Sequence, residues 1–280
     1  MDDLLLQSKE IIDKAIKDFQ PYATVLMFSG GSDSLTALHV AKVLDIKLDY
    51  ILHVNTRTGI PETTQFVRDT CINSGIQYIE ADAGTSYEDY VLRKGFFGVG
   101  IYAHSFAYHL CKREHYGKAI SHQIRQRKRN RKILLINGGR KSESRNRMIT
   151  MKEPIKQDSA SPSNFWISFI NEWEKKDCVD FLADQKVQIN PVSALLHRSG
   201  ECMCGTMQSL DERKEAEFWF PEWGKWLSDL ERRVANNGFL WKWGEATTKK
   251  VIKEKTIDPF QPLCVGCTNK NKLFLLDDHS

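Results

Sequence analysis

The six-residue run Ser29-Gly30-Gly31-Ser32-Asp33-Ser34 constrains the fold of this chain more than any other segment. Before it stands the apolar stretch Thr24–Phe28, which reads as a buried strand, and after it the helical stretch Leu35–Val43. Adjacent glycines between a buried strand and a helix let the backbone turn sharply and approach a ligand closely. Successive N–H groups and the helix N-terminus there make a ready seat for a phosphate. Ser32 and Ser34 can donate to phosphate oxygens, and Asp33 is placed to brace the loop or to hold a magnesium ion. An ordinary βα turn capped by Ser32 or Asp33 is the plainer alternative. The run has neither the Gly-Lys-Ser/Thr ending of a Walker P-loop nor the spacing of a dinucleotide fingerprint.

The rest of the chain repeats the alternation. Residues 1–20 place apolar side chains at helical spacing and stop at Pro21. Leu48–Val54, Gln77–Glu80 and Ile133–Asn137 read as strands, with Pro61–Ser74 as a helix between the first two. Strands alternating with helices predict an α/β fold with a doubly wound parallel sheet. After Thr150 the texture changes to a Ser-, Pro- and Asp-containing linker, Gln157–Asn164, and then to Trp-rich helical segments with cysteines. We therefore expect an α/β domain over residues 1–160 and a helical, cysteine-containing region over 161–280. Trp219, Trp223, Trp226, Trp241 and Trp243 are expected in the core rather than as a base-stacking platform.

The glycine run resembles the SGGxDS pyrophosphate loop of the ATP-pyrophosphatase (PP-loop) superfamily. Leu52-His53-Val54-Asn55-Thr56-Arg57-Thr58-Gly59-Ile60-Pro61-Glu62-Thr63 resembles the "hvdTG…PET" block of the phosphoadenosine-phosphosulfate (PAPS) reductase family, and Gly138-Gly139-Arg140 through Arg147 its "GxRxxESxxR" block. The resemblance covers roughly residues 22–205 and implies an adenine nucleotide α-hydrolase-like fold. It also implies that Ser29, Gly30, Gly31, Ser32, Asp33 and Ser34 grip pyrophosphate, that His53 and Val54 face adenine, and that Gly139, Arg140 and Arg147 meet anionic groups. Arg offers a planar fork that pairs bidentately with phosphate; for Arg145 a solvated surface role is the alternative. Asp33, Arg140 and Arg147 are the expected catalytic residues, with ATP and Mg2+ as cofactors.

Two departures shape the expected function. The chain carries no cysteine after Cys267, where PAPS reductases place a redox-active one, so ATP cleavage to AMP and pyrophosphate is expected over sulfonucleotide reduction. Asn55 stands where the family has Asp, which leaves its substrate contact open. The run His197–Gly205 further resembles PAPS-reductase-like proteins without reductase tails. Among them are the ATP pyrophosphatases of antiphage DNA phosphorothioation systems, of the Dnd and Ssp types, supplied with sulfur by a cysteine desulfurase. That resemblance implies a desulfurase partner and a DNA acceptor. Sulfonucleotide reduction, or a non-catalytic nucleotide-binding scaffold, remain the alternatives.

Four of seven cysteines form the pairs Cys202-Met203-Cys204 and Cys264-Val265-Gly266-Cys267, and four thiolates suffice for zinc or a [4Fe–4S] cluster. Cys111 is expected as a further participant or sulfur carrier, whereas Cys71 and Cys178 read as buried structural thiols. His104, His109 and His115 lack metal-ligand spacing. Arg125–Lys132 holds six cations without an acid in a chain of net charge +4, reading either as solvated surface or as a phosphate-backbone contact beside the active-site mouth. No apolar run approaches the roughly 20 residues of a membrane span. The acidic N-terminus does not resemble a secretory signal, so a cytoplasmic protein with reduced thiols is expected, with homo-oligomerisation left open.

Overall fold

Gln20, in the left-handed conformation at φ 45°, and Pro21 close the first helix, α1 (Asp2–Phe19), and turn the chain into the sheet. The computed structural model describes residues 1–143, 148 and 152–247; Arg145, Arg147, Cys264 and Cys267 lie outside them. The elements below belong to one compact unit, Met1–Lys249. In order they are β1 (Ala23–Met27), α2 (Ser32–Val43), β2 (Tyr50–Asn55), α3 (Pro61–Ser74), β3 (Gln77–Asp82) and α4 (Ser86–Lys94). A long helical stretch follows, α5 (Ile101–Tyr108) and α6 (Glu114–Ala119), with π-helical turns at His109–Arg113 and Ile120–Ile124. Then come β4 (Ile133–Ile136), β5 (Ile155–Gln157), β6 (Asn164–Ile167), α7 (Lys175–Asp184), α8 (Pro191–Leu196), α9 (Leu210–Trp219) and α10 (Pro221–Asn236). Among the described residues no helix is long and apolar enough to cross a membrane.

The six strands lie in the order β3-β2-β1-β4-β6-β5. All pairings are parallel except that of the short edge strand β5 with β6. The chain builds outward from β1 to β2 and β3, then returns to place β4 on the other side of β1. Strand order thus reverses between β1 and β4, and in open α/β sheets ligands bind at such a switch point, beyond the carboxyl ends of the strands. β1 and β4 are buried almost throughout, matching their composition, apolar at every position but Thr24. One face of the sheet packs against α1, α2, α3 and α7 through side chains such as Leu35, Leu38, Val67 and Phe181. The other is covered by Tyr116, Ala119, Ile120 and Ile124.

The sequence reading needs correction in three places. α2 begins at Ser32, so Ser32, Asp33 and Ser34 form its first turn rather than a loop. The stretch 157–164, expected as a linker, holds the end of β5, a turn and the start of β6, and β6 pairs with β4 in register Leu135↔Trp166. The expected division at residue 160 falls in that turn. Trp223, Trp241 and Trp243 are core residues, but Trp219 is 48% exposed.

Candidate active site

The loop after β1 is held from several sides. Gly30 adopts φ +74°, and a Cβ there would lie 2.7 Å from Val67 Cγ2, so both conformation and space demand glycine. Ser34 Oγ donates to the Gly31 carbonyl at 2.9 Å and accepts from Ser29 N at 3.3 Å. Its proton is committed to the loop, which makes Ser34 a brace and leaves Ser32 as the hydroxyl nearer the open cleft. Asn190 Nδ2 donates to the Gly30 carbonyl at 3.1 Å, while Asn190 Oδ1 caps α8 through Val192 N at 3.0 Å.

Across the switch point the loop after β4 comes down on the first turn of α2. Gly138 sits so close that a Cβ would lie 2.5 Å from the Asp33 carbonyl carbon. Asn137 Oδ1 accepts from Gly139 N at 2.7 Å and shapes this turn. Arg140, only 4% exposed, donates from Nη2 to Asp33 Oδ2 at 3.0 Å and from Nη1 to Ser142 Oγ at 3.0 Å. Burial opposes its charge, but the hydrogen bond and charge of Asp33 hold its affinity for the proton above the ordinary value. Lys175, at the start of α7, reaches Asp33 Oδ1 at 3.3 Å and also contacts Ser32 Oγ. Asp33 is thus flanked by two cations at the mouth of a cavity of about 1230 Å3. Arg140 Nε, buried and without a partner, remains a free donor.

His53 and Val54 do not line this cavity but an adjoining lobe of about 150 Å3, which shares Met27, Tyr108 and Trp166 with it. His53 is 1% exposed, its Nδ1 lies 2.9 Å from the Phe28 carbonyl, and burial pushes its pKa down against the pull of Glu201. Glu201 Oε2 pairs with Lys112 Nζ at 2.5 Å. Burial works against the Lys112 charge, yet Glu201 more than offsets it and raises the pKa.

The substitution at Asn55 has a structural reason. Its Nδ2 donates to Glu80 Oε1 at 2.9 Å, where an aspartate would set two carboxylates against each other. Arg68 holds the same Glu80 at 2.7 Å and lowers its pKa to about 2. Beyond Asn55, the segment Thr56–Thr63 grips a distant ribbon, Ser199–Cys204. Thr56 Oγ1 donates to the Glu201 carbonyl at 2.8 Å, Ile60 N to the Gly200 carbonyl at 2.8 Å, and Met203 N to Thr58 Oγ1 at 3.1 Å. At Gly59 a Cβ would meet the Glu201 carbonyl oxygen at 2.3 Å. The ribbon's other end touches the loop after β1, with Ser199 Cβ at 3.3 Å from the position of a Gly31 Cβ.

Cys202 and Cys204 share a proton on this ribbon: their mutual hydrogen bond pushes the Cys204 thiol well down and the Cys202 thiol up. They supply two adjacent thiols, half of a tetrahedral set. Among the described residues no group of three or more His, Cys, Asp or Glu side chains converges as a metal-ligand set. Burial pushes Cys111 and Cys71 up to about 12 and Cys178 up to about 11. That suits packed thiols better than a sulfur carrier at Cys111.

The basic stretch does not sit at the active-site mouth. It runs into the amino end of β4, whereas Arg140 follows the carboxyl end, and Tyr22 N, just before β1, bonds the Lys132 carbonyl at 2.8 Å. A parallel sheet puts these features at opposite ends. Arg125 is itself 8% exposed and donates to the Arg131 carbonyl at 3.0 Å, to Ser161 Oγ at 3.1 Å and to Asn164 Oδ1. The site also recruits Lys112, Lys175, Asn190 and Glu201, which sequence reasoning missed. Only Asn190-Pro191 carried a local signal, a helix cap followed by proline at the first helical position.

The PAPS reductase domain matches residues 23–206. No curated relative matches the chain. Among solved structures, the chain is similar to PAPS reductase from Candida auris in a phosphate complex, at 16% identity over 67% of this chain and 84% of that one, with TM-score 0.50. It is also similar to the NH3-dependent NAD synthetase from Campylobacter jejuni (15% identity, 84% and 94% covered, TM-score 0.47). A third is the Candida glabrata FMN adenylyltransferase in complex with ATP (14% identity, 69% and 58% covered, TM-score 0.49), of whose length this chain spans less than two thirds. The likeness to the first of these is one of fold, a mostly parallel α/β sheet with helices. A match across that much of the chain, on a sheet of that topology, makes this chain a member of the PAPS reductase domain family.

Proposed function

We propose that the protein is an ATP pyrophosphatase that adenylates an acceptor and so prepares it for sulfur incorporation. The observation that carries this reading is the cradle at the switch point: glycine N–H groups and the first turn of α2 on one side, Arg140 and Lys175 on the other. Donors fixed in place before reaction stabilise charge developing on a departing pyrophosphate without having to reorganise. Asp33 is the residue that would hold magnesium. A single carboxylate fits, because Mg2+ takes most of its ligands from water and phosphate oxygens. Bound there, the ion would neutralise phosphate charge, while Arg140 and Lys175 would turn from Asp33 toward phosphate oxygens.

The narrower reading is sulfur insertion into a DNA backbone with a cysteine desulfurase as donor. It rests on the resemblance of His197–Gly205 and on the place of His197, Arg198 and Ser199 along the cavity wall. A zinc or iron–sulfur centre at Cys202, Cys204, Cys264 and Cys267 belongs to the same reading.

The test is product analysis with ATP and magnesium. Pyrophosphate and AMP are expected, and Asp33→Ala and Arg140→Ala should each lower turnover by more than about tenfold. Release of ADP and orthophosphate, or thiol-dependent sulfite release from a sulfonucleotide, would overturn the assignment.

A further inference from the structure

At the amino end of β4, away from the cradle, the loop Arg125–Lys132 has no part in the nucleotide chemistry. It is nonetheless firmly built. Arg125 turns inward and plugs it, donating to the Arg131 carbonyl at 3.0 Å, to Ser161 Oγ at 3.1 Å and to Asn164 Oδ1. The main chain closes through Arg127 N to the Ser121 carbonyl at 2.9 Å and Arg131 N to the Lys128 carbonyl at 3.1 Å. Ser163 Oγ, from the neighbouring turn, donates to the Arg129 carbonyl at 2.7 Å. The Arg131 guanidinium lies 3.8 Å from the centre of the Tyr22 ring. Gln126 and Arg127 both take left-handed conformations, at φ 51° and 63°, which are uncommon for residues with a Cβ and are held here by these contacts.

With Arg125 and Arg131 engaged in the fold, Arg127, Lys128, Arg129 and Lys132 remain exposed, and none of the four has a carboxylate partner among the described residues. Acids that neighbouring elements bring to this end of the sheet are already engaged. Asp158 is 8% exposed and accepts from Ala160 N at 2.9 Å and from Trp166 Nε1 at 3.3 Å. Asp49 pairs with Lys47 at 2.9 Å and accepts from Thr24 N at 2.9 Å. Four like charges on one short, braced loop repel one another, and a polyanion removes that repulsion. A protein partner would want an apolar or aromatic anchor at the centre of its interface. The exposed run Gln126–Asn130 offers none.

We propose that this loop is a nucleic-acid clamp, in which Arg127, Lys128, Arg129 and Lys132 grip the phosphate backbone of a duplex. Contacts of this kind position a duplex without reading its sequence, and the planar fork of Arg suits them. From Lys132 across β4 to Asn137 is roughly 17 Å at about 3.3 Å per residue. A duplex held here therefore leaves the cleft at Asp33 and Arg140 open, and its binding needs no ATP.

Anisotropy of a fluorescent duplex of about 20 base pairs, titrated with the full-length protein between about 50 and 200 mM salt without ATP, tests the clamp. Four phosphate contacts at about 0.9 log unit each give a slope of about −3.6 in log affinity against log salt, on the order of a hundredfold across that range. Arg127→Gln, Lys128→Gln and Arg129→Gln together should flatten the slope to about −1 and weaken low-salt binding by at least about tenfold. Lys214→Gln, Lys225→Gln and Arg232→Gln remove the same charge from exposed positions on α9 and α10, and together should change affinity by less than about threefold. Equal losses in the two variants, or no loss in either, would overturn the clamp. Should the loop variant fail to fold, the unaltered protein decides: a slope shallower than about −2 would leave too few contacts and overturn it. Polyglutamate of similar charge binding within about threefold of the duplex would overturn nucleic acid as the partner. None of these results depends on ATP cleavage, so failure here leaves the adenylation reading standing.

Discussion

Gly138 decides how near two loops can come. The loop after β4 lies against the backbone of Asp33 and Ser34, at distances where any side chain would have to displace main-chain atoms. Gly138→Ala should therefore separate Arg140 from Asp33. We expect a folded protein less stable by about 1–3 kcal/mol, the usual cost of overpacking, with ATP binding weakened by more than about tenfold. Thermal unfolding and calorimetric titration check the two effects, and wild-type ATP affinity in the variant would dismiss the close approach as functionally idle. The sequence showed a glycine pair after a strand but not which of the two makes the approach, because the opposing atoms lie more than a hundred residues away. Asn55 is similar: the sequence marked it as a departure, and only Glu80 on the neighbouring strand explains it.

Elements were legible where a local rule acts alone. α3 carries proline at its first position and Gly75 in the left-handed conformation after its end, and its bounds match those read from the sequence. β6 was hidden because four residues are too few to show a period; it is a strand because β4 offers it a partner. The loop before β4 was misplaced for a related reason. Charge counting cannot distinguish Arg125, folded inward onto Asn164, from Lys128 and Arg129, which are exposed. Arg125→Gln should destabilise by about 2–3 kcal/mol through its lost buried hydrogen bonds, and Lys128→Gln or Arg129→Gln by no more than about 0.5 kcal/mol. Urea denaturation separates them; equal effects would show that Arg125 is surface charge after all.

At the scale of the whole molecule, the β1–α2 unit was readable because a buried strand, a glycine run and a helix are contiguous in sequence. The cluster of α4, α5, α8, α9 and α10 around Trp223 and Trp243 was not, since its contacts join residues about 145 positions apart. Thr58 is one of its pins: wholly buried, it accepts from Met203 N, while its own carbonyl accepts from Trp223 Nε1 at 3.0 Å. Thr58→Val keeps the shape and strands the Met203 N–H, so a loss of about 1–3 kcal/mol is expected. Tryptophan fluorescence and far-ultraviolet circular dichroism should follow one shared urea transition at a lower midpoint, and an unchanged midpoint would contradict the pin. The ribbon Ser199–Cys204 has a larger consequence. Six consecutive residues touch the glycine loop after β1 at Gly31, line the small lobe with Glu201 and end in the thiol pair. If a ligand at that loop and a partner at the thiols each bias this ribbon, thermodynamics requires that the binding influence of one on the other be equally strong in both directions.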